Sequence, residues 1–268
     1  MNQSSPAEKK SIPENKMGIL PVPRLLLSVS LPMTISMLVQ ALYNIIDSIF
    51  VGMLSENALA AISLAFPIQM LTFAVGSGTA VGVNAILSRS LGERDFDRAN
   101  KAAMNGIFLA IVSFLIFIFI GLFAIKPFYA SQTINTDREI YVYGVQYLMT
   151  VTICSFAVFG QLMFERLLQS TGKTFYTMIT QGTGAIVNII LDPLFIFGIG
   201  PFPRLEVLGA AIATVIGQII AASLALYFNI RFNKELHFSL HGLKPDWPLI
   251  GRIYKVGFPS IIMISVGS

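Results

Sequence analysis

Gln40, Tyr43, Asn44 and Asp47 fall at i, i+3, i+4 and i+7 inside an otherwise apolar run. A helix gathers residues at that spacing on one narrow face. Thr177, Gln181, Asn188 and Asp192 do the same at offsets 0, 4, 11 and 15 in a second apolar run, and Pro193 follows Asp192. An ionised carboxylate in hydrocarbon costs roughly 2.5–3.5 kcal/mol even on lenient insertion scales, so acids kept there usually serve a cation or a proton. A proline frees the carbonyl one turn before it. A carboxylate, an asparagine amide and a freed carbonyl make an oxygen-rich pocket suited to Na⁺ or a proton. Plainer readings stand beside this one: a polar seam between helices, an Asp47 solvated at the outer interface, and Asp192-Pro193 as a helix stop.

Other polar positions carry weaker signals. Tyr143, Tyr147, Thr150, Cys154, Gln161 and Glu165 share a face of one run. Tyr147 and Gln161 read as cavity-lining or as packing. Glu165 reads as solvated beside Arg166 at a loop. Thr214 and Gln218, four apart among alanines and glycines, read first as close helix packing.

These stripes need long apolar helices to carry them. The chain of 268 residues is 54% hydrophobic and 12% charged, with a mean hydropathy of +0.73. Soluble domains carry about 25% charged residues, and a bilayer span needs about 20 apolar ones. Spans are predicted over Leu25–Val51, Ala58–Leu87, Ala102–Ile125, Ile140–Phe164, Tyr176–Ile199 and Val207–Ile230, with a seventh run starting near Ile253. No period-2 alternation of the barrel kind appears. The expected fold class is an all-α, multi-pass membrane bundle: six helices in one lobe and a seventh cut off at Ser268. That run ends without cap or flanking charge, so a longer parent protein is expected.

The charge distribution orients this bundle. With a cytoplasmic N-terminus, the inside segments hold fifteen Lys and Arg and the outside segments three. That is a strong positive-inside bias. It accounts for the net charge of +4 without a nucleic-acid partner. The first 24 residues are polar and lead into a full-length span, unlike a signal peptide. Cys154 is the sole cysteine and lies mid-span.

Residues 1–24 form a cytoplasmic tail on this reading, 25–232 a six-helix lobe, 233–251 a cytoplasmic linker, and 252–268 the start of a second lobe. Val29-Ser30-Leu31-Pro32 and Val256-Gly257-Phe258-Pro259 sit at equivalent places in the first and seventh runs, a faint internal repeat of a kind transporters use. His237 and His241 are four apart, but no third ligand is near, so a metal site is not expected. Trp247 reads as an interfacial anchor. Pro32, Pro67 and Pro193 interrupt three spans and supply kinks or hinges.

Several motifs together resemble the MATE family of multidrug and toxic-compound extrusion transporters. They are Leu31-Pro32 through Ala41-Leu42-Tyr43-Asn44-Ile45-Ile46-Asp47 to Phe50-Val51-Gly52; Leu87-Ser88-Arg89-Ser90-Leu91-Gly92-Glu93-Arg94-Asp95; Asn188-Ile189-Ile190-Leu191-Asp192-Pro193; Gly209-Ala210-Ala211-Ile212-Ala213-Thr214; and Leu243-Lys244-Pro245-Asp246-Trp247 leading to Gly257-Phe258-Pro259. The resemblance covers nearly the whole chain after residue 24. It implies twelve helices in two lobes, with the second lobe largely beyond Ser268. It also implies antiport of cationic organic compounds against H⁺ or Na⁺, with no cofactor and no enzymatic activity. Carried over, the coupling site comprises Asp47, Asp192, Asn188, Asn44 and Thr214. Gln40, Tyr43, Tyr147 and Gln181 are cavity-lining candidates, and Pro32 corresponds to a hinge. No metal beyond Na⁺ is expected. The implied location is the cell's inner membrane.

Two other functions were weighed from the residues. A flippase for a lipid-linked precursor needs a basic cavity for its anionic headgroup, and the spans carry no mid-depth Lys or Arg. An intramembrane aspartyl protease needs Gly-x-Gly-Asp, whereas Leu191 precedes Asp192 and Pro193 follows it.

Overall fold

The computed structural model describes residues 21–133, 138–236 and 244–266. The basic residues of the first 20 positions and the His237–His241 pair lie outside these segments. The described residues form nine helices and no strand: α1 (Val22–Leu54), α2 (Glu56–Gly92), α3 (Phe96–Phe123), α4 (Ile125–Gln132), α5 (Arg138–Ile153), α6 (Phe156–Ser170), α7 (Thr174–Phe197), α8 (Val207–Phe232) and α9 (Trp247–Val266). Among them α1, α2, α3, α7, α8 and α9 are each long and apolar enough to cross a membrane.

Local chemistry sets most of the boundaries. Ser55 caps α2 by accepting from the Ala58 N–H at 3.0 Å. Asp95 caps α3 by accepting from the Arg98 N–H at 3.0 Å. Each satisfies one of the donors a helix start leaves open. Gly198 ends α7 in the left-handed region at φ 71°, where glycine escapes the Cβ penalty.

The structure departs from the sequence expectations in three places. The fourth span is two helices, α5 and α6, meeting at a 46° bend. Beyond the expected third span, which ends at Ile125, residues Ile125–Gln132 form α4, which tucks the buried Tyr129 under Ala61 through a 2.7 Å hydrogen bond from its hydroxyl to the Ala61 carbonyl. The seventh helix starts at Trp247, five residues before expected, and Trp247 is 71% exposed. Its early start follows from Asp246, whose carboxylate accepts from the Leu249 N–H at 3.1 Å and whose own N–H donates to Asn105 Oδ1 at 2.9 Å. As the expected Tyr176–Ile199 span implies, α7 continues through Asp192-Pro193 to Phe197, so that dipeptide is not a stop.

Small residues bring the helices together. A side chain at Gly184 would stand 3.1 Å from the Gly217 carbonyl, and one at Gly217 would stand 2.8 Å from the Gly184 carbonyl. This reciprocal notch lets the α7 and α8 backbones nearly touch, the close approach small residues permit in membranes. On the other side of the molecule α9 lies on α2. A Cβ at Gly257 would meet the Gly78 carbonyl at 2.8 Å, and one at Gly82 would overlap the Ile253 carbonyl. The buried core divides into two clusters. One holds Ala80, Val83, Leu87, Leu167 and Ile253. The other, at the opposite end, holds Val51, Ala58, Tyr129, Leu148, Ile196 and Val207.

Candidate transport cavity and ion site

The α7–α8 notch fixes what lies beside it. One turn beyond Gly184, Asn188 sits so close to α8 that its Cβ would be 3.4 Å from a Cβ at Gly217. Its Nδ2 reaches the Thr214 hydroxyl of α8 at 3.3 Å and Asp192 Oδ1, one turn along α7, at 3.2 Å. Asp192 is fully buried, at 0% exposure. Its carboxyl group neighbours that of Asp47 from α1 and interacts with it electrostatically.

Three oxygens in this cluster are buried without a hydrogen-bond partner: Asp47 Oδ1, Asp192 Oδ2 and Asn188 Oδ1. Buried polar atoms are normally satisfied, and each exception asks for an explanation. Two bare carboxylates face to face repel each other; a proton on one, or a cation between them, removes the conflict. The donor set is all oxygen, which suits a hard cation or a proton. Among the described residues no group of three or more His, Cys, Asp and Glu could hold a metal.

The cluster forms part of the wall of a cavity of about 700 Å³. Gln40, Tyr43, Asn44 and Asp47 line it from α1, Gln69 and Phe73 from α2, Tyr147 from α5, Gln181 and Asn188 from α7, and Thr214 from α8. Asp192 is not at the cavity surface and stands behind that wall. Tyr147 is held by Gln69, whose Nε2 donates to its hydroxyl at 3.0 Å. Pro32 lies inside α1, where Ser36 Oγ donates to its carbonyl at 2.9 Å.

The sequence stripes need two amendments. The first helix runs past its expected end at Val51, so α1 continues nearly two turns beyond Asp47, to Leu54. Asp192 neighbours the Asp47 carboxyl, while Asn44 and Gln40, on the same face of α1 as Asp47, line the cavity. Gln181 does not serve Asp192, because its Nε2 donates to Glu165 Oε2 at 2.7 Å.

Glu165 is the residue that the sequence reading misplaced. It is only 2% exposed, not solvated at a loop. Its Oε1 accepts from Gln161 Nε2 at 3.1 Å and from Thr180 Oγ1 at 3.0 Å. The signal available was the Gln161–Glu165 spacing of one turn. Only the packing of α6 on α7 adds Thr180 and Gln181.

Comparison with known proteins follows the same lines. The MatE family profile matches residues 32–194. The FAD transporter of Shewanella oneidensis is 30% identical over 245 residues, covering 90% of this chain and 54% of that protein. The multidrug export protein MepA of Staphylococcus haemolyticus is 31% identical over 238 residues, covering 88% of this chain and 51% of that protein. An outward-facing structure of a multidrug resistance MATE family transporter of the MOP superfamily superposes with a TM-score of 0.79 at 27% identity, over 90% of this chain and 52% of that one. The chain thus spans about half the length of the relatives it matches.

Proposed function

We propose that this chain, which belongs to the MatE family of membrane transporters, supplies the ion-coupling lobe of an antiporter that exports organic cations across the cytoplasmic membrane. The observation that carries the reading is the convergence of three unpartnered buried oxygens, on Asp47, Asn188 and Asp192, beside the cavity. H⁺ or Na⁺ binds there. Asp47 comes from α1, and Asn188 and Asp192 from α7, so the bound ion ties these two helices together. Without it the carboxylates push them apart. A ligand shifts a conformational equilibrium only by its differential affinity for the two states, and a charge-neutralising ion between two helices has such a difference.

Pro32 removes a backbone hydrogen bond within α1 and is the place where that helix bends. The excess of Lys and Arg in the inside segments favours a cytoplasmic N-terminus. On the domain division proposed here, residues 25–232 form the lobe, and α9 begins the segment that joins a second one in a longer protein. The second lobe, the bilayer and small cationic molecules are the partners; no cofactor takes part.

The charged residues lining the cavity are Asp47, Glu165 and Arg166. That acidic balance supports cationic cargo over the anionic headgroup a flippase would hold. The test is ethidium accumulation in cells expressing the parent transporter, Asp47→Asn or Asp192→Asn. Both variants are expected to accumulate ethidium; export equal to the parent by both removes the coupling role.

A further inference from the structure

The cavity holds a second carboxylate that the ion site does not use. We propose that Glu165 anchors the positive charge of a bound organic cation, at a subsite separate from the Asp47–Asn188–Asp192–Thr214 cluster. This deepens the reading above and rests on its assignment of the cavity to cargo.

The two acidic sites are far apart along one helix. Gln181, which holds Glu165, and Asp192 both belong to α7. Eleven residues at 1.5 Å rise separate them by roughly 16 Å. One small ion cannot serve both. They also differ in chemistry. The ion cluster offers bare oxygens, the arrangement that wraps a stripped ion. The Glu165 oxygens already accept three hydrogen bonds, from Gln161, Thr180 and Gln181. A carboxylate has about four acceptor positions, so little coordination capacity is left.

All three donors are neutral, so the negative charge itself is not cancelled. Arg166 is next in the chain, lines the same cavity and acts electrostatically on Glu165; it gives the empty subsite a counter-charge that an incoming cation replaces. A buried carboxylate that borders a cavity with its lone pairs largely occupied favours a bulky, diffuse cation, whose attraction does not need direct coordination. Val158, Leu162, Met70 and Phe73 supply apolar lining of the same cavity. An aromatic face adds to the attraction for a quaternary centre.

The experiment measures equilibrium binding to the purified chain in lipid nanodiscs. The probes are tetraphenylphosphonium and its neutral relative triphenylphosphine oxide. Glu165→Gln is expected to weaken tetraphenylphosphonium binding at least about tenfold, the effect of losing a close opposite charge in a partly shielded site, and to leave the neutral probe unchanged. Asp192→Asn is expected to weaken tetraphenylphosphonium binding clearly less than Glu165→Gln does, since a charge roughly 16 Å away acts about a quarter as strongly as one at 4 Å. The proposal is overturned if Glu165→Gln binds the cation as the parent does, if it loses both probes together, or if the parent binds neither. Failure of the ion site reads out separately: a parent whose melting temperature ignores both Na⁺ and pH removes that site and leaves a selective Glu165 effect standing.

Discussion

Replacing Asp192 with asparagine should make the ion-free protein more stable and deaf to the ion. The parent side chain is fully buried, with one donor, Asn188 Nδ2 at 3.2 Å, on Oδ1 and none on Oδ2. The Asp47 carboxyl faces it. At alkaline pH without Na⁺ the two helices hold opposed anions. Each intramembrane carboxylate costs about 2.5–3.5 kcal/mol on insertion scales. Asparagine keeps the shape, removes one charge and brings an Nδ2 donor for the unpartnered Asp47 Oδ1. The ion-free variant should therefore gain about 2–3 kcal/mol over the ion-free parent, a rise in Tm of roughly 4–10 °C for a chain of this size. In the parent, Na⁺ at a hundred times its Kd adds about 2.7 kcal/mol. The variant should lose that increment. The assay is thermal unfolding of the purified chain in detergent, at alkaline pH, with Na⁺ titrated against choline, and then across falling pH without Na⁺. A variant that keeps the parent's ion-dependent increment, or that melts below the ion-free parent, refutes the reasoning.

Gly144→Ala places a methyl group inside the Tyr129 ring; overpacking costs about 1–3 kcal/mol, and a Tm unchanged from the parent would contradict that contact. Gly82→Ala drives a methyl group into the Ile253 carbonyl of α9, where backbone cannot swing aside. A disulfide between cysteines introduced at nearby α2 and α9 positions should then form several-fold more slowly than in the glycine parent. Burial holds the pKa of the Lys173 ammonium below its usual value, with Glu235 opposing. Between its native and unfolded pKa values the unfolded chain binds more protons, so stability rises with pH through that window. Lys173→Gln should flatten this rise in thermal melts below the ordinary lysine pKa of about 10.4, despite losing the 3.1 Å bond to Asn233.

What the sequence made legible was the cost of individual groups. Asp47 and Asp192 stood out because acids are rare in apolar runs, and the 3.6-residue period put Asn188 beside Asp192. The membrane fold followed from the same apolar blocks. Relations between helices were not legible. Gln181 shares a helical face with Asp192, and periodicity alone pairs them. The side chain is long enough to turn instead toward Glu165 on α6, which only packing decides. Glu165 sits next to Arg166 at the end of a hydrophobic run, a pattern that a solvated helix end shares. The α5–α6 bend falls at Cys154 and Ser155, with no proline or glycine to mark it. The early start of α9 depends on Asn105, which lies 141 positions away in the chain.

The contact between α2 and α9 has a consequence for how often it can be remade. At Gly82 and Gly257 its closest approaches are to main-chain carbonyls, those of Ile253 and Gly78. Glycine has no rotamers to freeze when a surface is buried. At these points parting and rejoining need no search among side-chain arrangements, and each closure loses little entropy. A joint of that kind places part of its fit in backbone shape, and only the flanking side chains, such as Ile253 and Ile261, need to re-settle at each closure.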